Sequence, residues 1–398
     1  MINISANYKD NSELDFEIVE KKSFGHPDNL ADNLAKLCSI EYSKYCLDNF
    51  GYILHHNFDK LYIGAGSFTI KDKKVKTKSK IKIVLNGRAS TSFANQKINL
   101  KKVLNKKIEE YLTTVMPAIN FKKDVKVIYN ANNFSQRKNW YTPKSVDDIP
   151  DAKVITSGDT SVCVVNTGES NCEKLCKEIE NIFFKRTKFG FASPIYEDLG
   201  QDIKIMITRI KNEIDITICL PVFATRYETF EEYSNILKHY EKIVEDKISP
   251  ICKEFGYSYT LNINKKQDGS FRIYKTFKGS CIDCGEEGVV GRGNNSRGLI
   301  SVFNPHTMEA PFGKNERYHT GRVLDFLCRK LGDKILETYN AKSRIFCVAR
   351  NQNPLLEPYV FNISLNIKID NEKIEQLAKE IFTEKYLMEN ILTDTASV

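Results

Sequence analysis

Apolar residues recur along this chain in two rhythms. Short runs rich in β-branched and aromatic residues at 52–55, 60–63 and 80–85 predict strands. Residues 202–210 and 214–222 predict two more. They are joined by Lys211-Asn212-Glu213, a short polar connection that reads as a hairpin and hence as antiparallel sheet. Runs at 257–264, 344–349 and 359–369 continue the series. Between these runs the spacing changes to three and four. Phe230, Tyr233, Leu237, Tyr240 and Val244 mark one apolar helix face, and Val323, Phe326, Leu327, Leu331 and Ile335 mark another. Ile374, Leu377, Ile381 and Tyr386 form a third stripe. Leu30, Leu34, Leu37 and Tyr45 form a fourth, on a helix that starts just after His26-Pro27-Asp28. Strand pairs followed by amphipathic helices predict an α+β fold, with helices covering largely antiparallel sheets.

The chain has 398 residues, enough for two or three domains. No repeat of fixed period and no Pro/Gly/Ser-rich linker divides it, so domains are expected to share or exchange segments. With 41% hydrophobic and 28% charged residues it can bury a core. No run of 18 apolar residues exists and the N-terminus has no secretory pattern, so a cytoplasmic protein with no membrane partner is the expectation. The net charge, 59 − 51 = +8, suits a small anionic ligand and does not by itself call for nucleic acid. Eleven cysteines, mostly within apolar segments, read as reduced core thiols. One CxxC occurs, Cys281-Ile282-Asp283-Cys284, without the second pair that a zinc site needs. Residues 71–82 hold seven lysines and one aspartate, which reads as a solvated hairpin or a polyanion contact. Aromatic residues are not interleaved there, which argues against binding of single-stranded nucleic acid.

Four segments look unlike ordinary core or surface. In Gly25-His26-Pro27-Asp28, at a helix start, a histidine can donate to phosphate and an aspartate can hold a hard cation; the same residues also make an ordinary helix cap. In Gly200-Gln201-Asp202-Ile203-Lys204, the acid and the base two residues apart share one strand face. Residues 278–294 form a glycine-rich loop carrying Glu286, Glu287, Arg292 and Asn294, and it matches neither common phosphate-loop pattern. Gly313-Lys314-Asn315, with His319 beyond, lies at the mouth of a helix that begins near Gly321 and reads as an anion contact.

In order along the chain, EIVEKKSFGHPDNLAD, ILHHNFDK, IVLNGRAS, GDTS, GQDIKIM, EEGVVGRGN, GLI, MEA and GKN resemble the archaeal-type S-adenosylmethionine synthetases. The resemblance implies three similar α+β domains about a pseudo-threefold axis, here about 1–125, 126–255 and 256–398 with interleaved segments. It implies a homodimer packed sheet against sheet with active sites at the interface, and the substrates ATP and methionine. The methionine sulfur attacks ribose C5′ and displaces triphosphate, which is then hydrolysed. By the same resemblance His26 contacts the leaving oxygen, and Asp28 binds Mg²⁺. Lys204, Arg292 and Lys314 hold the polyphosphate. Asp159 of the GDTS segment, Asp202, Asp283, Glu286, Glu287, Asn294 and Asn315 lie around nucleotide, acceptor and metal. The family also uses K⁺, for which no residue here is assigned. A thioether has no proton to lose, so no general base is required, and no catalytic triad is visible.

The chain departs from the family pattern around the nucleotide and acceptor. Gly285-Glu286-Glu287-Gly288 stands where the family has Gly-Asp-Asp-Gly. The lysine-rich residues 71–78 replace a glycine-rich loop, and 130–135 replace a Gly-Gln-Gly-Ser segment. Asn295 and Asn304 stand where the family has arginines, and Asp283 where it has a glutamate. Three readings stay open: an ordinary synthetase, a paralogue with another acceptor or nucleotide, and a non-catalytic binding protein of the same fold. Polyanion binding by the lysine-rich hairpin is a fourth.

Overall fold

Alternating burial sets the central sheet. In the strand Lys204–Ile210, Ile205, Ile207 and Arg209 point inward; in Glu213–Cys219, Ile214, Ile216 and Ile218 do the same. The computed structural model describes residues 2–72, 74–149, 152, 154–187 and 191–394. Among these, three larger sheets carry the fold. The five-stranded sheet runs Ser258–Ile263, Glu213–Cys219, Lys204–Ile210, Phe16–Lys22, Ile300–Ser301. The helices Asn171–Phe183 and Phe230–Glu254 pack on its inner face. A four-stranded sheet, Val125–Tyr129, Ile81–Leu85, Tyr62–Gly64 and Gly288–Val289, packs with the helices Pro27–Phe50 and Leu100–Val115. A second four-stranded sheet, Ile2–Ser5, Val360–Leu365, Ser343–Ala349 and Ser161–Thr167, packs with the helices Thr320–Tyr339 and Asn371–Ile381 around a separate core.

The fold is α+β, and its sheets are mixed rather than purely antiparallel. The predicted hairpin is present: Lys204–Ile210 pairs antiparallel with Glu213–Cys219. The latter then pairs parallel with Ser258–Ile263, and the helix Phe230–Glu254 makes the crossover. Ile81–Leu85 and Val125–Tyr129 are likewise parallel across the helix Leu100–Val115. Strands far apart in sequence share sheets. Gly288–Val289 pairs with Tyr62 and Ile63, and Ile2–Ser5 pairs with Phe361–Ser364.

Two expected elements differ. Residues 52–55 are not a strand; the strand is His56–Asn57, paired with Arg88–Ala89. The Leu54 carbonyl accepts from the Asn315 side chain at 3.0 Å, and the His55 carbonyl accepts from Ser90 N–H at 2.8 Å, so this backbone is satisfied without a ladder. The stripe ending at Tyr386 lies on two helices, Asn371–Ile381 and Glu384–Asn390, because Thr383 caps the second by accepting from Tyr386 N–H at 3.2 Å. The lysine-rich segment forms a hairpin, Ser67–Lys71 with Lys74–Ser79, whose described lysines are exposed.

A buried charge cluster ties the end of the described chain to two helices. Asp394 accepts from Arg322 at 2.9 Å and Arg329 at 2.7 Å, and lies 3.8 Å from Lys36. Burial alone would raise this carboxyl; Arg329, Lys36 and Arg322 hold it well below the ordinary carboxylate range. Its stabilisation is therefore complete above the unfolded-state value of about 4 and is lost as pH falls below it. Asp394→Asn should lower the stability read from urea unfolding at pH 7 by roughly 3–5 kcal/mol. The gap to the parent protein should narrow progressively below about pH 4.

Candidate active site

Two helices begin in the same way. His26 Nδ1 accepts from Asp28 N–H at 3.2 Å at the start of Pro27–Phe50, and His319 Nδ1 accepts from Gly321 N–H at 3.2 Å at the start of Thr320–Tyr339. An imidazole that accepts at Nδ1 carries its proton on Nε2 when neutral. Burial holds His26 below the ordinary histidine range, with Asp202 pulling it back, and holds His319 at about 4. Both rings are thus neutral Nε2–H donors at helix N-termini, where anions are favoured.

The first helix also anchors the glycine-rich arm. Asp28 Oδ1 accepts from Val289 N–H at 3.2 Å; Asp32 accepts from Gly291 N–H at 2.7 Å and Gly293 N–H at 3.1 Å. Burial pushes the Asp32 carboxyl up, and the two N–H donors oppose that shift. Asn294 takes both backbone groups of Lys22, at 3.0 and 2.8 Å. Glycine is required at 293, because a Cβ there would lie 2.2 Å from Asp32 Oδ2. Arg292 is carried between these two held glycines.

Opposite the arm, Lys204 pairs in register with Lys22 across neighbouring strands. Each lysine has a carboxylate partner: Lys204 lies 3.0 Å from Glu20, and Lys22 lies 3.2 Å from Asp28. The walls enclose a cavity of about 710 Å³ that brings together His26, Asp28, Asp202, Lys204, Glu286, Glu287 and Arg292. Asp202 also holds the next loop, accepting from Cys281 N–H at 3.0 Å. Glu287 accepts from the Tyr62 hydroxyl, which raises the tyrosine pKa to about 12. Lys265, Arg272 and Tyr274 line the same space.

The other expected site residues lie elsewhere. Asp283 is buried in the loop: its Oδ2 accepts from Thr276 Oγ1 at 2.5 Å and Phe277 N–H at 2.8 Å, while Oδ1 has no hydrogen-bond partner among the described residues. Asn294 serves the strand contact just described. Asn315 is buried against Leu54, His56 and Asn57. Lys314 is buried and ion-paired with Glu309, and its burial lowers its pKa. Asp159 lines a second cavity of about 900 Å³, together with His319, Asn57, Arg88 and Ser135. In that cavity His55 stacks on Trp140 with ring centroids 3.9 Å apart, and the Arg137 guanidinium lies 4.4 Å from the Trp140 ring.

The profile of the S-adenosylmethionine synthetase (AdoMet synthetase) family matches residues 1–396. The chain belongs to the S-adenosylmethionine synthetase family. Among its relatives are uncharacterized proteins of Streptococcus pyogenes serotypes M3 and M1, 34% identical over 94% of this chain and 92% of theirs. S-adenosylmethionine synthases of Saccharolobus islandicus strains are 29% identical over 96% of this chain and 93% of theirs.

The family's Mg²⁺ can be tested against these donors. Among the described residues no cluster of three or more His, Cys, Asp or Glu side chains forms a cage. Mg²⁺ keeps several waters and is commonly held by one or two carboxylates plus substrate phosphates. Asp28, on the cavity wall near Asp202, suits that shared mode.

Asp32 is absent from the expected site, although it grips the arm. One signal was available: Asp28 and Asp32 are four apart on one helix face, with Asn29 and Asn33 beside them, and all four are buried. Gly293→Ala should displace the arm and lower affinity for inorganic triphosphate about tenfold or more, judged against the roughly 100-fold cost of a 1 Å misplacement. Calorimetry on a variant with parental far-UV circular dichroism checks it. Unchanged affinity would remove the arm from the site.

Proposed function

We propose that the protein is a methionine adenosyltransferase, which transfers the adenosyl group of ATP to the methionine sulfur and hydrolyses the released triphosphate. The observation that carries this reading is the convergence of His26, Asp28, Lys204 and Arg292 on one cavity in a chain of this family. The sulfur attacks C5′, and the C5′–O bond breaks with its electron pair going to triphosphate. No proton need be removed, so the barrier lies in alignment and in charge on the leaving group. Alignment can supply roughly 7–11 kcal/mol. Lys204 and Arg292 would meet the triphosphate charge, and the neutral His26 would donate from Nε2 to the departing oxygen. Asp28 would hold Mg²⁺ jointly with phosphate oxygens, and the ion would supply further charge neutralisation. Lys204 already sits beside Glu20, so phosphate binding there would exchange one anionic partner for another.

The remaining residues support a site shared between two copies of the chain. Asp159 lies in a separate cavity from Lys204. The outer face of the five-stranded sheet, which bears Ile18, Met206, Thr208 and Thr217, is only half-buried in the single chain. A homodimer packed through this face would cover it. One observation favours a second reading, in which the same displacement serves another acceptor. The Arg137–Trp140–His55 stack shapes the second cavity beside the altered 130–135 segment.

Mass spectrometry of products formed with ATP, Mg²⁺ and K⁺ should show S-adenosylmethionine, pyrophosphate and phosphate only when methionine is present. Triphosphate cleavage without that product would sink methionine as the acceptor. Lys204→Ala should fold normally and lose roughly 100- to 1,000-fold in kcat. His26→Ala should slow displacement more than hydrolysis of added triphosphate; equal slowing would mean that His26 only shapes the site.

A further inference from the structure

The CxxC motif has no part in that reaction, yet its setting is specific. Residues Cys281–Asp283 form one 3-10 turn, closed by Cys284 N–H donating to the Cys281 carbonyl at 2.9 Å. Such a turn stacks side chains three apart, and the Cys284 thiol donates to the Cys281 carbonyl at 3.4 Å. The sulfurs differ in access. Cys281 is anchored: its N–H donates to Asp202 at 3.0 Å, and its sulfur lies 2.8 Å from the Tyr274 hydroxyl on the cavity wall. Cys284 is exposed, whereas eight of the eleven cysteines are buried. After Cys284 the chain passes through Gly285, at φ 114° and with open space around it, to Glu286 and Glu287. Glu286 N–H returns to the Cys281 carbonyl at 3.1 Å. An accessible sulfur and an anchored one therefore sit at the base of the segment that carries the cavity's two adjacent carboxylates.

We propose that Cys281 and Cys284 are a reversible covalent modification site, a dithiol that exchanges with low-molecular-weight disulfides and resets the Glu286–Glu287 segment. The Cys284 thiolate attacks one sulfur of the external disulfide and expels one small thiol. The Cys281 thiolate then attacks the Cys284 sulfur of the mixed disulfide and expels the second. Two protein thiols are oxidised to one disulfide, and the external disulfide is reduced to two thiols that take up the two protons. The new bond sets the sulfurs about 2.05 Å apart, so Cys284 must leave its contact with the Cys281 carbonyl. Asp202 and Tyr274 restrain Cys281, so the movement falls on Cys284 and Gly285 and passes to the arm that ends in Arg292.

The thiol chemistry stands apart from the proposed reaction; only its effect on triphosphate binding rests on that reading. The test incubates the full chain with oxidised and reduced glutathione at varied ratio. Peptide mass mapping follows the thiols, hydrogen exchange follows residues 285–290, and calorimetry follows inorganic triphosphate with Mg²⁺. The expected result is a 281–284 disulfide, altered exchange in that segment and about a tenfold fall in triphosphate affinity, the scale of one charge-assisted hydrogen bond. Dithiothreitol should reverse all three. Cys284→Ser should keep the affinity of the reduced protein and show no response. Glutathione retained on Cys284 with Cys281 free, no reaction at either thiol, or a disulfide with unaltered exchange would each overturn the proposal. If the reduced protein fails to bind triphosphate, the functional reading fails, while mapping and exchange still decide the disulfide.

Discussion

The architecture of the site depends on two carboxylates, one helical turn apart, holding a glycine-rich arm by its backbone. Asp28 and Asp32 accept N–H groups of Val289, Gly291 and Gly293. This joins the start of the chain to a segment more than 250 residues later. The grip pairs three part-buried hydrogen bonds with charged acceptors, which are stronger than bonds between neutral groups. It also explains why the arm is rich in glycine: a side chain at 293 would collide with Asp32, and one at 288 would lie 2.1 Å from the Pro27 carbonyl oxygen. The arm thereby becomes an edge strand on the Tyr62–Gly64 sheet while its tip delivers Arg292 to the cavity.

Charge around that cavity is arranged in compensated pairs. Lys22 and Lys204 are direct neighbours on one sheet face, a repulsive pairing if left alone. Asp28 and Glu20 offset it, and Lys204 lines the cavity. The neutral His26 adds a donor without adding to the repulsion among the cations.

Much of this was legible in the sequence, and the failures have physical causes. The hairpin was legible from the short polar connection Lys211-Asn212-Glu213, and its inward Ile205, Ile207, Ile214, Ile216 and Ile218 form an apolar face that packs on helices. The strand Phe16–Lys22 shows no such apolar face, since its inward positions are Glu17, Val19 and Lys21. Those charges are buried against remote partners: Glu17 lies 3.4 Å from Arg209 and Lys21 lies 3.2 Å from Glu180. Polar residues that find partners only in three dimensions leave no periodic trace. The crossovers were missed for a related reason. A hairpin is read from a short turn, whereas a parallel pairing appears only after an intervening helix has docked. At the site, His26, Asp28, Asp202, Lys204, Glu286, Glu287 and Arg292 line one cavity. Arg272 and Lys265 did not stand out, because they come from a turn whose composition is that of any solvated loop.

The Gly-Glu-Glu-Gly run invites the view that the cavity has been spoiled by lengthening two side chains. The local geometry argues otherwise for one of them. Val289 pairs with Tyr62 across the strand edge, and Glu287, two residues before it, reaches the Tyr62 hydroxyl. An aspartate at 287 would fall short by about 1.5 Å, one C–C bond, and would leave the phenol without this acceptor. The longer carboxylate and the tyrosine opposite it are thus a matched pair that fixes the end of the arm. Among the described residues Glu286 has no such tie to a neighbouring strand; its backbone N–H is held by the Cys281 carbonyl, beside a glycine with open space around it. Of the two altered carboxylates, 287 behaves as framework and 286 as the movable one. Any change in what this site accepts should therefore be sought first at Glu286 and in the loop that carries it.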